Sequence, residues 1–192
     1  MFKKKKTDTL NLYNKNPETN AYMIEVSIED YAEIFNGWDA SPLRRKDIEP
    51  ELIDYLEQAS TEIPMKENLE LVFYLDKKMF DQDKEQKSLT GIKNNFKFII
   101  YLINQQLNLK YRQMATYIIL SMLFITGAYV LRNLVELSLL TNIMVEGFFI
   151  GGWFLLWEAF SIFVFDSHQV RLRKKLYTRF LNSVIIFREP KE

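Results

Sequence analysis

The sequence predicts an α-helical membrane protein: two transmembrane helices plus a small cytoplasmic α/β domain of two or three strands. Three observations predict it. "MATYIILSMLFITGAYVL" (114–131) is 18 residues without a charge, and "GFFIGGWFLLWEAFSIFVF" (147–165) is 19 residues with Glu158 as its only charge. Spanning a hydrocarbon core takes about 20 helical residues, so each run is a candidate span that borrows residues from its flanks. The flanks of the two runs differ in sign. Ahead of the first run, a strand, a helix and a second strand follow one another, as in a parallel pair with a crossover helix.

The charges set the expected orientation. Residues 86–113 hold Lys87, Lys93, Lys97, Lys110 and Arg112 with no acid, and residues 166–180 hold Arg171, Arg173, Lys174, Lys175 and Arg179 against Asp166. The segment 132–146 between the runs is net −1. Cytoplasmic flanks carry the excess of Lys and Arg, so both termini are expected inside, joined by an external hairpin over 132–146. Mean hydropathy over the whole chain is only slightly negative because a charged region dilutes the two runs. That region is segregated: residues 18–85 are net −11 and residues 1–15 net +4. Basic side chains gain about 1 kcal/mol each beside an anionic leaflet, and Lys110, Arg112, Arg171, Arg173, Lys174 and Lys175 are the expected membrane-surface set. This layout argues for a membrane surface as partner and not for nucleic acid.

Residues 1–20 are polar and lysine-rich and read as disordered. The segment 21–88 reads as the acidic domain. In it "AYMIEVSI" (21–28) alternates as a half-buried strand, and "FNGWDASPL" (35–43) is turn chemistry. "DIEPELIDYLEQAS" (47–60) is a helix with Asp47 as cap, Pro50 in the first turn and Leu52, Ile53, Leu56 and Ala59 on one face. "NLELVFYL" (68–75) is the second strand, and 76–88 a charged loop. A basic neck (89–113) then leads into the first span as one helix from about Ile92, although Phe96 to Ile103 also has the composition of a strand. After the second span, "VRLRKKLYTRFL" makes a basic surface helix with Val170, Leu172, Leu176 and Phe180 on its apolar side. "NSVIIFRE" (182–189) is a short strand able to return as the third strand of the domain.

Several candidate sites follow. At 100° per residue, Gly147, Gly151, Phe154, Glu158, Ser161 and Phe165 share one stripe, and Gly147-x-x-x-Gly151 permits close helix approach. The acid is thus expected on a packing face about 10 Å deep, at the level of Ser121, with Tyr117 a turn nearer the cytoplasm. It either lines a cation or proton path in a homo-oligomer or, as a protonated or neighbour-bonded carboxyl, holds the helix pair in register. Arg44, Arg45 and Lys46 precede a helix N-terminus and suit a phosphate, a nucleotide or another small anion, unless they pair with Glu49, Glu51 and other acids. Trp38 beside them reads as a core or covering residue. His168 is the lone histidine, there is no cysteine, and no metal or cofactor is expected. No Walker loop, G-x-S-x-G or G-x-G-x-x-G occurs, so a non-enzymatic role is expected, with a cytoplasmic protein as possible partner of the acidic domain.

"FNGWDASPLRRKDIEPELIDYLEQASTEIP" with the strand "LELVFYL" (35–75), and "EGFFIGGWFLLWEAFS" (146–161), resemble a family of uncharacterised two-span bacterial membrane proteins. They cover about a third of the chain. The resemblance implies the two-span layout and a bacterial inner-membrane setting; Glu158 and Gly151-Gly152-Trp153 lie in the matching part. It implies no mechanism.

Overall fold

The computed structural model describes residues 10–134 and 138–190. In chain order these form β1 (Tyr22–Ser27), α1 (Pro50–Glu62), β2 (Leu69–Tyr74), α2 (Gln82–Leu134), α3 (Leu139–Ser161), a π-helical turn (Ile162–Asp166), α4 (Ser167–Asn182) and β3 (Val184–Arg188). They divide into two compact units, residues 1–101 with 175–192 and residues 102–174. The nine residues 1–9 of the expected disordered terminus lie outside the described residues.

The first unit is built on a three-stranded parallel sheet of order β1-β2-β3. α1 is the crossover between β1 and β2, and β3 does return from the C-terminal tail to join β2, as the sequence suggests. Every residue of β2 except Tyr74 is buried, as in a central parallel strand covered on both faces, and Glu70 is the one charge among them. Around Ile24, Leu71 and Phe73 the core is aromatic. Phe187 lies 5.1 Å from Tyr31 and 5.3 Å from Phe73, ring centre to ring centre, and Phe96 lies 5.4 Å from Phe180.

Several expectations are corrected here. Residues 10–20 are ordered: they run along the free side of β1, and Asn16 and Thr19 donate 2.8 and 2.5 Å bonds to the buried Glu70 carboxylate. Asp47 does not cap α1. Glu49 occupies that position without a side-chain bond, Pro50 opens the helix, and Asp47 instead accepts a 3.1 Å bond from Asn95. α2 starts at Gln82, inside the segment expected to be a loop, because Asp81 accepts the N–H groups of Asp83 and Lys84. It runs through Gly91; over 96–103 the expected helix is found and the strand alternative is not. Gly91 is required there: a Cβ would stand 2.2 Å from the Leu43 carbonyl oxygen and 2.9 Å from the Phe35 ring.

The second unit is a helical hairpin. The expected external hairpin over 132–146 is mostly helix, leaving only residues 135–138 between α2 and α3. Ser138 caps α3 by accepting from the Thr141 N–H. The apolar run "LLTNIMV" that follows extends the second helix at its N-terminal end. α2 and the helical run Leu139–Asn182 are both long and apolar enough to cross a membrane.

Candidate functional site

The helical hairpin is joined at small residues. Val145, Gly152 and Ala159, seven apart, are the buried positions of α3, and Ser121 and Ala128, also seven apart, are buried on α2. A seven-residue repeat keeps one seam facing the partner helix, and small side chains let backbones approach. At its centre Ser121 Oγ donates a 2.7 Å bond to the Gly152 carbonyl. A Cβ on Gly152 would lie 2.6 Å from Ile125 Cγ1.

This seam is not the stripe read from the sequence. A Cβ on Gly147 would meet nothing within 4 Å, and Gly151 only approaches the Phe124 ring. Phe154 and Phe165 are 65% and 59% exposed, and Ser161 and Glu158 are half-buried. Glu158 sits one residue before Ala159, about 100° round the helix from the seam. Ser121 bonds Gly152 instead of Glu158, and Tyr117 accepts from Gln113 at 3.1 Å. Among the described residues the Glu158 carboxylate has no hydrogen-bond or ion-pair partner. The stripe Gly147–Gly151–Phe154–Glu158–Ser161–Phe165 therefore lies outside the intrachain seam.

A polar cluster sits at the end of the hairpin that follows α3. Lys110 and Asp166 pair at 2.6 Å. Arg171 donates to the Phe163 carbonyl at 3.2 Å and to the Tyr111 hydroxyl at 3.4 Å, with its guanidinium 5.6 Å from the Phe163 ring centre. The π turn sets this up: its extra residue displaces carbonyls from the α-helical ladder, and Arg171 takes one of them. Arg112 and Arg173 are exposed and Lys174 is half-buried. Ser167 and its hydroxyl are fully buried, whereas His168 is exposed.

In the sheet-bearing unit the loop 36–49 is pinned at both ends. Asn36 accepts the Trp38 N–H, and Asp39 accepts the N–H groups of Ser41 and Asp47, which hold its carboxyl below the usual range. Asn94 of α2 donates to the Arg44 carbonyl at 2.9 Å. Trp38, expected to be a core or covering residue, is 97% exposed at the tip of this loop. Arg44 and Arg45 are also exposed, and among the described residues neither they nor Lys46 form an ion pair with Glu49, Glu51 or any other acid. Glu49 and Glu51 instead neutralise the start of α1, the feature that would have favoured an anion there. Arg45 lines an open cavity of about 430 Å³ with Asp39, Ser41, Asp47, Asn94, Asn95 and Phe98.

One residue escaped sequence reasoning. Arg179 stands in the run read as a membrane-surface helix, yet its guanidinium reaches the carbonyls of Ser60, Ile63, Pro64 and Glu67 at 2.9–3.4 Å, and Ser60 Oγ at 3.2 Å. It thereby caps the C-terminal end of α1, where orphan carbonyls and the negative pole of the helix favour a cation. Leu176, Tyr177 and Phe180 are buried beside it, so the second half of α4 is core, and only the first half fits the surface reading; Lys175 remains exposed at the boundary.

No family model, curated protein or solved structure matches the chain.

Proposed function

We propose that the chain is a non-enzymatic, oligomeric, two-span protein of a bacterial inner membrane, with both termini cytoplasmic and the acidic sheet-bearing unit acting as an interaction module. The observation that carries the membrane reading is the apolar girdle of the hairpin. Only 11% and 17% of the most apolar windows of its two helices are buried, and Ile119, Met122, Leu123, Ile150, Trp153 and Trp157 are all exposed. A soluble core helix buries such residues; a lipid-facing one does not. The interaction reading rests on Trp38. An indole held in water on a loop braced by six or more polar contacts is preorganised apolar surface, the usual anchor of a protein interface.

A photo-reactive residue at Gly37 in the full-length membrane-bound chain tests that reading. Adducts with a discrete protein that disappear in Trp38→Ala are expected. Adduct yields no higher than at Leu12, or unchanged by Trp38→Ala, contradict it. The whole chain is needed, because a fragment ending at residue 88 lacks Phe96, Phe180 and β3.

Glu158 supports a second reading, a small cation or proton channel built from several copies. Among the described residues its carboxylate has no partner, and it lies off the intrachain seam, free to face an axis shared by neighbours. Conductance of the reconstituted protein that falls several-fold in Glu158→Gln is expected on this reading; a wild-type oligomer that never conducts ends it.

A further inference from the structure

The two edges of the sheet are treated differently. Along β1 the chain covers its own edge: the Met23 N–H donates to the Asn14 carbonyl, the Asn16 N–H donates to the Ala21 carbonyl, both at 2.9 Å, and Lys15 bridges Tyr22 in antiparallel fashion. β3 has no such cover. The Leu75 N–H donates to the Arg188 carbonyl, and Arg188 pairs with Tyr74 in register. That phase turns the backbone groups of Val184, Ile186 and Arg188 toward β2 and those of Ile185 and Phe187 outward. Among the described residues nothing bonds the outward groups. β3 is also lightly guarded for an edge: Arg188 at its end is its one charge, "VIIF" before it holds no lysine, proline or bulge, and Val184 is 53% exposed.

We propose that β3 is a homotypic interface, pairing antiparallel with β3 of a second copy about a two-fold axis through Ile186. The result is one continuous six-stranded sheet. The occupant is a second copy because the edge is complementary to itself. Antiparallel pairing about Ile186 sets Ile185 opposite Phe187 of the other copy, twice, and each such pair exchanges two N–H···O bonds, satisfying every outward group of both strands. It also sets Arg188 opposite the exposed Val184, so the arginine stem covers the valine and no like charges meet. Parallel self-pairing would align the two Arg188 side chains and leave groups unpaired at both ends. Pro190, without an N–H, stops the ladder just beyond it.

The proposal rests on the oligomeric part of the function given above and has its own test. The chain contains no cysteine, so introduced thiols report alone. Ile186→Cys would face its own copy as a non-hydrogen-bonded pair with Cα atoms about 4.5 Å apart, close enough for a disulfide. Val184→Cys would stand some four residue steps, roughly 13 Å, from its copy and out of reach. Oxidising the full-length protein in native membranes should convert most Ile186→Cys, and most of the double variant Val184→Cys/Arg188→Cys, to a covalent dimer. Val184→Cys alone should remain monomeric on the same gel. An oligomer in nanodiscs that gives no link with either Ile186→Cys or the double variant overturns the strand pairing and leaves the oligomeric reading standing. A monomer in nanodiscs overturns both. Equal linking of Val184→Cys and Ile186→Cys overturns the register and with it the two-fold.

Discussion

Ser121 and Gly152 meet at the centre of the helical hairpin through a buried bond from the serine hydroxyl to the glycine carbonyl, 2.7 Å long. The contact needs both residues to be small. The hydroxyl contributes little alone, about 0.6 kcal/mol for an average bond of this kind in a membrane protein, whereas the backbone approach it accompanies spans the whole seam.

Gly152→Ala therefore should destabilise the hairpin although alanine is the better helix former. Its Cβ would lie 2.6 Å from Ile125 Cγ1, a branched atom close to the backbone, and 3.3 Å from both Ile125 N and the Ser121 carbonyl oxygen. Overpacking of this kind costs about 1–3 kcal/mol. Gly147→Ala, with open space around its Cβ, should be neutral or slightly stabilising. Denaturant unfolding of the two variants in detergent micelles checks the contrast, and equal midpoints would contradict the seam.

Arg179→Met should cost about 2–4 kcal/mol in the sheet-bearing unit, because it strips a donor from four carbonyls at the end of α1 and leaves them partly buried. Arg179→Lys should recover only part of this, since one ammonium cannot replace a planar fork reaching four acceptors. Lys175→Met, on the exposed face, should cost less than about 0.5 kcal/mol. Thermal melts of the purified protein compare the three.

The loop that carries Trp38 should loosen in acid. Backbone N–H groups of Ser41 and Asp47 hold the Asp39 carboxyl below its ordinary value. A carboxyl depressed in the folded state stabilises at pH above its unfolded value, near 4, and that contribution is lost as pH falls through the lower folded value. At the alkaline end Tyr13 acts with the opposite sign. Burial and the bond to Glu62 push its hydroxyl up to about 12, so its contribution is complete below pH 10 and lost as pH rises through 12. Trp38 fluorescence, isolated by removing Trp153 and Trp157, should change as pH falls below the ordinary carboxylate value, near 4, in the wild type. In an Asp39→Asn background that transition should be absent.

Much of this was legible from pattern alone. Two long apolar runs, one of them broken only by Glu158, announced the hairpin, and alternation at 21–28 with the strand pattern at 68–75 announced a parallel pair that the tail completes at 184–188. The failures have physical reasons. The charges at 76–88 read as loop and the helix as starting near Ile92, but it starts at Gln82, and Gly91 within it admits the Leu43 carbonyl, which no local pattern reveals. Gly147 and Gly151 suggested a familiar packing spacing, yet the seam follows the seven-residue recurrence of Val145, Gly152 and Ala159, in which only one residue is glycine. Arg179 looked like its basic neighbours because a guanidinium that binds carbonyls leaves no acidic partner in the sequence to find. Trp38 read as a core or covering residue, although Asn36-Gly37 and Asp39 make a loop whose tip projects into water.

Trp38→Ala should leave the melting temperature within about 1 °C of wild type, since the indole is 97% exposed and buries almost nothing within the chain. A loss of several degrees would show that the side chain supports the fold and would remove the basis for reading it as an interaction anchor.

The central claim is that two helices cross the membrane and leave both ends inside, and single thiols in this cysteine-free chain test it most directly. Ser138→Cys, between the two long helices, should react with a membrane-impermeant maleimide added to intact spheroplasts. Ser41→Cys and Asn182→Cys should react only after the membrane is opened. Labelling of position 41 or 182 from outside, or recovery of the chain in the supernatant after membranes are sedimented, would contradict the account.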